Sequence, residues 1–207
     1  METTPRSELD LPGMAPRPPA PAAPEKPRET ERTMLDRLRV RYGRTYKNGP
    51  YVGRQFVVAE KVATTPGGSH DSARIADAIV LDTWKPSWHD LTEAERETRS
   101  WTDRVSVHGF EVKVSRSDWL TELADPTKAE AWARYCHYFW LVASDRAIVR
   151  DDLPDGWGLL VPHGRSLRVA SAPRRRDPSP MPHSAVVSLA RAVQKTEVDM
   201  SLKKEVA

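Results

Sequence analysis

Cysteine is almost missing from this 207-residue chain: Cys136 stands alone, which rules out an internal disulfide and any multi-cysteine zinc or iron–sulfur centre. Runs of about 18 or more apolar residues are also missing, so no membrane-spanning helix is expected. The opening "METTPRSELD" lacks the basic-then-apolar layout of a secretory signal, and with the lone cysteine this favours a reducing, cytoplasmic setting. The six histidines show no HxxxH or Cys-His spacing, so a zinc site is not expected. "TTPGGSHDS" lacks the GK[ST] ending of a phosphate-binding loop, and no Ser-His-Asp or Cys-His set can be assembled. A net charge of +3 says little about partners, so the distribution of charge has to carry that question.

Proline, by contrast, is abundant and segregated. Eight of the 18 prolines fall in residues 1–30, a composition that cannot bury a core and reads as a disordered leader. A second break, "SAPRRRDPSPMPHS", contains the Arg174–Arg176 run. The chain then divides into a leader (1–30), a folded unit (31–173), an Arg/Pro-rich linker (174–183) and a C-terminal helix with tail (184–207). That helix is amphipathic, with Val186, Val187, Leu189, Ala190 and Val193 as apolar positions that dock on the domain or on a partner.

Within the folded unit the periodicity predicts a helix in "ETERTMLDRLRVRYG", closed by Gly43. Strands follow at 54–63, 74–84 and 104–115, then a helical region broken near Pro126, a fourth strand at 137–144, and a closing hairpin formed by "GWGLLVPHG" and "SLRVASA". The order α-β-β-β-α-β plus a hairpin is neither strict βαβα alternation nor all-β. An α/β unit with a mixed central sheet covered by helices is the economical solution.

The chemistry lies on the second and third strands. Asp77 stands inside the apolar run "RIADAIVLD", where a carboxylate is costly unless paired or bound to a metal. "HGFEVKVS" alternates Phe110, Val112 and Val114 with Glu111, Lys113 and Ser115, so Glu111 and Lys113 read as the polar, wet face of a half-buried strand. If consecutive strands are neighbours, Asp77 and Glu111 converge and Lys113 lies about 7 Å along the same face. Paired carboxylates with a lysine suit metal-assisted phosphodiester hydrolysis, the carboxylates holding Mg2+ or Mn2+ and the lysine offsetting charge in the transition state.

The pattern "RIAD…FEVK" resembles the PD-(D/E)xK nuclease superfamily, with its restriction-endonuclease-like αβββαβ core; Ala76 stands where the superfamily name has proline. Within it, "RIADAIVLD", "FEVKVSRSDWLTE", "KAEAWARYCHYFWLVAS" and "LPDGWGLLVPHG" together resemble the MmcB-type DNA-repair family, over roughly residues 33–172. The resemblance implies a metal-dependent DNA nuclease acting in repair, recombination or phage DNA metabolism. It implies Asp77 and Glu111 as metal ligands, Lys113 as the catalytic lysine and the Val112 carbonyl as a further ligand. Lys128, and Tyr135 seven residues on, match positions that touch phosphate or the active site. Among acids on the first helix or strand, Glu60 ranks ahead of Glu31 and Asp36 as a further ligand, because the related family has a glutamate there.

"RLRVRYGRTYK" carries five basic residues and no acid, and Arg37, Arg41, Arg44 and Lys47 on it suit contacts to the DNA phosphate backbone. The insert at 84–101 and the C-terminal helix are candidate sites for a protein partner. Ala-, Arg- and Pro-rich usage points to a GC-rich bacterium or its phage. The alternative reading is a non-catalytic DNA- or protein-binding module, for example a phage structural or interaction protein, that keeps the nuclease fold.

Overall fold

A computed structural model describes residues 29–48, 51–66, 74–83, 92–94 and 105–205. The leader up to residue 28, part of the expected hairpin tip, and the 84–101 insert apart from 92–94 lie outside the described residues.

Helix α1 (Glu31–Tyr42) starts where Thr30 and Thr33 cap each other, each side chain accepting the other's backbone N–H. Its buried residues are Met34, Leu35, Leu38, Arg39 and Tyr42. A short antiparallel ribbon follows, β1 (Thr45–Asn48) with β2 (Tyr51–Arg54). Its residues 45–47 fall in the expected basic stretch, Arg54 in the strand expected at 54–63, and the rest in a part with no expected element. The main strands are β3 (Phe56–Ala63), β4 (Ile75–Asp82) and β5 (Ser106–Lys113). Helices α2 (Arg116–Ala124) and α3 (Thr127–Ala133) lead to β6 (Tyr138–Ala143). A 3-10 turn (Arg146–Ile148), β7 (Gly158–His163), β8 (Ser166–Ser171) and the long α4 (His183–Glu205) complete the described chain.

The sheet has six strands in the order β3-β4-β5-β6-β7-β8. Pairing is antiparallel from β3 to β5, parallel from β5 to β7, and antiparallel again at the β7–β8 hairpin. Both faces are covered. On one, α1 packs Met34, Leu35 and Leu38 against Ala78, Val80, Phe110 and Val142. On the other, Trp132 of α3 and Ala185 and Leu189 of α4 pack over Ile79 and Phe139, and Trp119 of α2 covers Leu141, Leu159 and Val161. None of the described helices is long and apolar enough to cross a membrane.

Two glycines sit directly beside aromatic partners in the parallel register, Gly109 beside Phe139 and Gly158 beside Trp140. A Cβ on Gly158 would stand 2.3 Å from the Trp140 ring. Gly158→Ala is therefore expected to destabilise the fold by about 1–3 kcal/mol through overpacking, read as a lower urea midpoint; an unchanged midpoint would show that the indole can move aside.

The C-terminal helix closes the sheet's open edge. β3 is an edge strand, and the Glu60 N–H, which has no ladder neighbour on that side, donates to Thr196 Oγ1 at 2.9 Å. The Arg/Pro-rich segment leading to α4 is held down by Arg174 N–H to the Gly156 carbonyl, Arg176 N–H to that of His137 and Ser179 N–H to that of Arg134.

Candidate functional site

The β4–β5 ladder ends at the pair Ala78–Phe110, while β5 continues to Lys113 beside β6. At the parting point the Asp77 carboxylate takes over from backbone: its Oδ2 accepts the Val112 N–H at 2.7 Å. Its Oδ1 accepts from Lys61 Nζ at 2.6 Å. Asp77 is buried, and these two donors offset the cost of placing a carboxylate there.

Lys61 reaches this place through unusual backbone. It has φ of +52°, a left-handed conformation that is uncommon and costly outside glycine. The β3–β4 register runs from Glu60–Ala78 to Val62–Ala76, so Lys61 lies opposite Asp77 without entering the ladder. Its ammonium also pairs with Glu31, the first residue of α1. Burial works against the charged ammonium, but hydrogen bonds to Asp77 and Glu31 outweigh it and hold Lys61 above the ordinary lysine value.

Glu111 and Lys113 follow on β5. The alternation predicts a wet face for them, and here the structure differs: their side chains are only 14% and 9% exposed. The cause is α2. Ser115, directly after the strand, caps the helix by accepting the Asp118 N–H, and α2 folds back over this face. It brings Glu122 to 3.0 Å from Lys113 Nζ, which also donates to Glu111 Oε1 at 2.7 Å. Burial opposes the Lys113 ammonium, but the Glu111 and Glu122 carboxylates prevail and keep it firmly charged. Burial, and then the facing Asp77 carboxylate, push the Glu111 carboxyl up to about 7 against the pull of Lys113.

The site is thus two lysine-bridged carboxylate pairs set back to back, Glu31–Lys61–Asp77 and Glu111–Lys113–Glu122. Four carboxylates face two ammoniums, so two negative charges are uncompensated at pH above about 7, where Glu111 is ionised. Such a deficit fits one divalent cation. Among the described residues, no group of three or more His, Cys, Asp or Glu could hold a metal. The donors on offer are the Asp77 and Glu111 carboxylates and the Val112 carbonyl, all oxygens. An oxygen set with few protein ligands suits Mg2+ or Mn2+, which keep several waters.

The other expected residues lie elsewhere. Glu60 is turned to the α1 face, where Arg32 and Arg39 both bond its carboxylate, with Arg32 Nη1 at 2.6 Å and Arg39 Nη2 at 2.7 Å. Burial pushes the Glu60 carboxyl up, but these guanidiniums outweigh it and hold it below the usual value. Its oxygens are spent on clamping α1 to β3. Asp36 pairs with Arg32 on the exposed side of α1.

Lys128 lies in the first turn of α3 near Asp125, and Tyr135 lies beyond the end of that helix, its ring edge-on to Trp132 at 6.2 Å. Neither bonds to Asp77 or Glu111 among the described residues. Arg37 pairs with Glu29 and bonds the Gly164 carbonyl, and Arg41 bonds the Leu167 carbonyl at 2.9 Å, so both are committed to holding α1 on the β7–β8 hairpin. Arg44 is exposed, and the Lys47 side chain lies outside the described residues.

Sequence reasoning missed Lys61 and Glu122 and ranked Glu31 below Glu60. Glu122 carried a signal, an acid on the same helical stripe as the buried Trp119. Lys61 carried none, because a left-handed residue inside a strand breaks the period-two rule that assigns faces.

No protein-family model and no curated protein matches this chain. Among solved structures, a protein of unknown function from Silicibacter pomeroyi is similar at 14% identity and a TM-score of 0.47, covering 86% of this chain and 90% of that one.

Proposed function

We propose that this protein is a metal-dependent DNA nuclease with a restriction-endonuclease-like core, of the PD-(D/E)xK type and akin to the MmcB-type repair family, working in the cytoplasm of a bacterial cell or phage-infected host. The observation that carries the reading is the meeting of Asp77 with Glu111 and Lys113 where β4 and β5 part, with its uncompensated negative charge. The order of elements around it, α1, β3–β4–β5, α2–α3 and β6, agrees with the αβββαβ plan.

Asp77 and Glu111, with the Val112 carbonyl, would hold Mg2+ or Mn2+. When bound, that ion acidifies a water and steadies charge on phosphoryl oxygens. The Lys113 ammonium, kept charged between Glu111 and Glu122, places fixed positive charge where negative charge builds as the phosphodiester is hydrolysed. Glu122 positions that ammonium, and Lys61 holds the Asp77 carboxylate in place.

One observation favours a second reading, a DNA-binding module that keeps the fold without hydrolysis: both carboxylates already accept from a lysine. A calorimetric Mn2+ titration separates the two. The nuclease reading expects saturable binding that Asp77→Asn weakens by about 10-fold or more, whereas a module with lysine-satisfied carboxylates shows no Asp77-dependent binding.

A further inference from the structure

The first-helix arginines that the sequence offers for DNA are largely spent on holding the fold. The free basic residues of interest lie instead on α4. Ser188, Arg191 and Lys195 fall at i, i+3 and i+7, one face of that helix, and line a groove of about 480 Å³ between α4 and the end of β3. Lys61 and Pro66 form part of the opposite wall. Arg191 and Lys195 are exposed and make no ion pair among the described residues. The Ser188 Oγ, buried at the groove, has no hydrogen-bond partner among them.

Two acids also line the groove. Glu60 is already neutralised by Arg32 and Arg39, which leaves Asp199 as the opposing charge. Lys61 is likewise neutralised, by Asp77 and Glu31, so Arg191 and Lys195 stand against Asp199 and the balance stays positive by one charge. No aromatic side chain is among the lining residues, so the groove offers nothing for a base to stack on. It offers the exposed cations Arg191 and Lys195, groups of the kind that contact phosphate. Its position links it to the candidate site, because Lys61 is among its lining residues and donates to Asp77.

We propose that this groove is the track for a DNA strand's phosphate backbone, held by Arg191 and Lys195 of the C-terminal helix and led past Lys61 to Asp77. The choice of DNA as the phosphate polymer rests on the nuclease reading. The strand passes along α4 without being read by sequence, since the contacts are to phosphate alone.

The test is fluorescence anisotropy of a labelled duplex with EDTA present, over KCl from about 0.05 to 0.3 M. Compared are the wild type, Arg191→Gln/Lys195→Gln, and a control that removes two exposed charges on the β7–β8 hairpin, Arg165→Gln/Arg168→Gln. Losing two phosphate contacts should flatten the log–log salt slope by about 1.8 and weaken binding at about 0.1 M by roughly 10- to 60-fold, with the control near wild type. Arg191→Gln alone should give about half the slope change, and both α4 substitutions are at exposed positions, so melting temperatures should match. Wild-type affinity and slope in the α4 variant, an equal loss in the control, or no binding by the wild type would each overturn the proposal. Because EDTA removes catalysis, the outcome is independent of cleavage. A protein that binds through α4 but never cuts keeps the groove and loses the nuclease reading; one that cuts while the α4 variant binds normally does the reverse.

Discussion

Lys113→Met is expected to slow DNA cleavage by about 100- to 1000-fold at saturating Mg2+, the usual loss when one preorganised electrostatic group is removed from a water-poor site. Methionine keeps most of the aliphatic stem and removes the charge. The charge matters because Lys113 is held by two carboxylates, Glu111 at 2.7 Å and Glu122 at 3.0 Å, and so cannot swing away to solvent. The same substitution leaves those acids facing each other in a buried place, so stability should fall as well. Glu122→Gln in the Lys113→Met background separates the effects. It removes one of the stranded charges and should recover part of the melting temperature while leaving the single-turnover rate low. Recovery of rate together with stability would mean that Lys113 serves structure alone.

Trp119→Ala carries the largest expected loss of stability, about 3–5 kcal/mol, the range for deleting a fully buried tryptophan. Trp119 has no exposed surface, packs among Leu141, Ala143, Ile148, Leu159 and Val161, and donates its indole N–H to Asp152 Oδ1 at 2.9 Å. It is the residue through which α2 grips the sheet. Glu122 is one turn further along the same helix, so loosening α2 also loosens the second carboxylate on Lys113. The urea midpoint should fall with an unchanged slope on denaturant. A loss under about 1 kcal/mol would mean that α2 is held mainly by its cap and ion pairs.

How far the fold could be read from the chain follows from where its local signals were strong. The apolar run 75–82 and the alternation of "FEVK" marked β4 and β5 because strand periodicity is short-range and both segments are bounded by polar stretches. The β1–β2 ribbon is not marked by period two, because Thr45, Tyr46, Lys47 and Asn48 show no alternation of apolar with polar residues, and the five basic residues at 37–47 read as a charge footprint. The burial of Glu111 and Lys113 could not be read from β5. Period two tells which residues share a face, but whether α2 later folds over that face is a long-range outcome of the Ser115 cap and the Trp119 anchor. The position of Glu60 has the same character. Its place on β3 was legible, whereas its two guanidinium partners come from a helix more than 20 residues upstream.

Arginine usage followed a parallel course. A basic stretch looks like an electrostatic footprint when read as a line of charges, yet Arg37, Arg39 and Arg41 each have a partner in the fold. Among the described residues, Arg191 and Lys195 are exposed and without an ion pair, on a helix whose sequence pattern advertised only an apolar stripe. Positive charge in a sequence is therefore a supply, and the acids and carbonyls folded against it decide how much remains for a ligand.

The central claim is tested most directly by single-turnover cleavage of labelled DNA, offered as single-stranded, duplex and branched substrates, by wild-type protein with Mg2+, with EDTA, and by Asp77→Asn with Mg2+. The account predicts cutting of at least one substrate by the wild type with Mg2+, none in EDTA, and a loss of at least about 100-fold for Asp77→Asn with its fold intact. Metal-independent cutting, or cutting that survives Asp77→Asn at full rate, would contradict it.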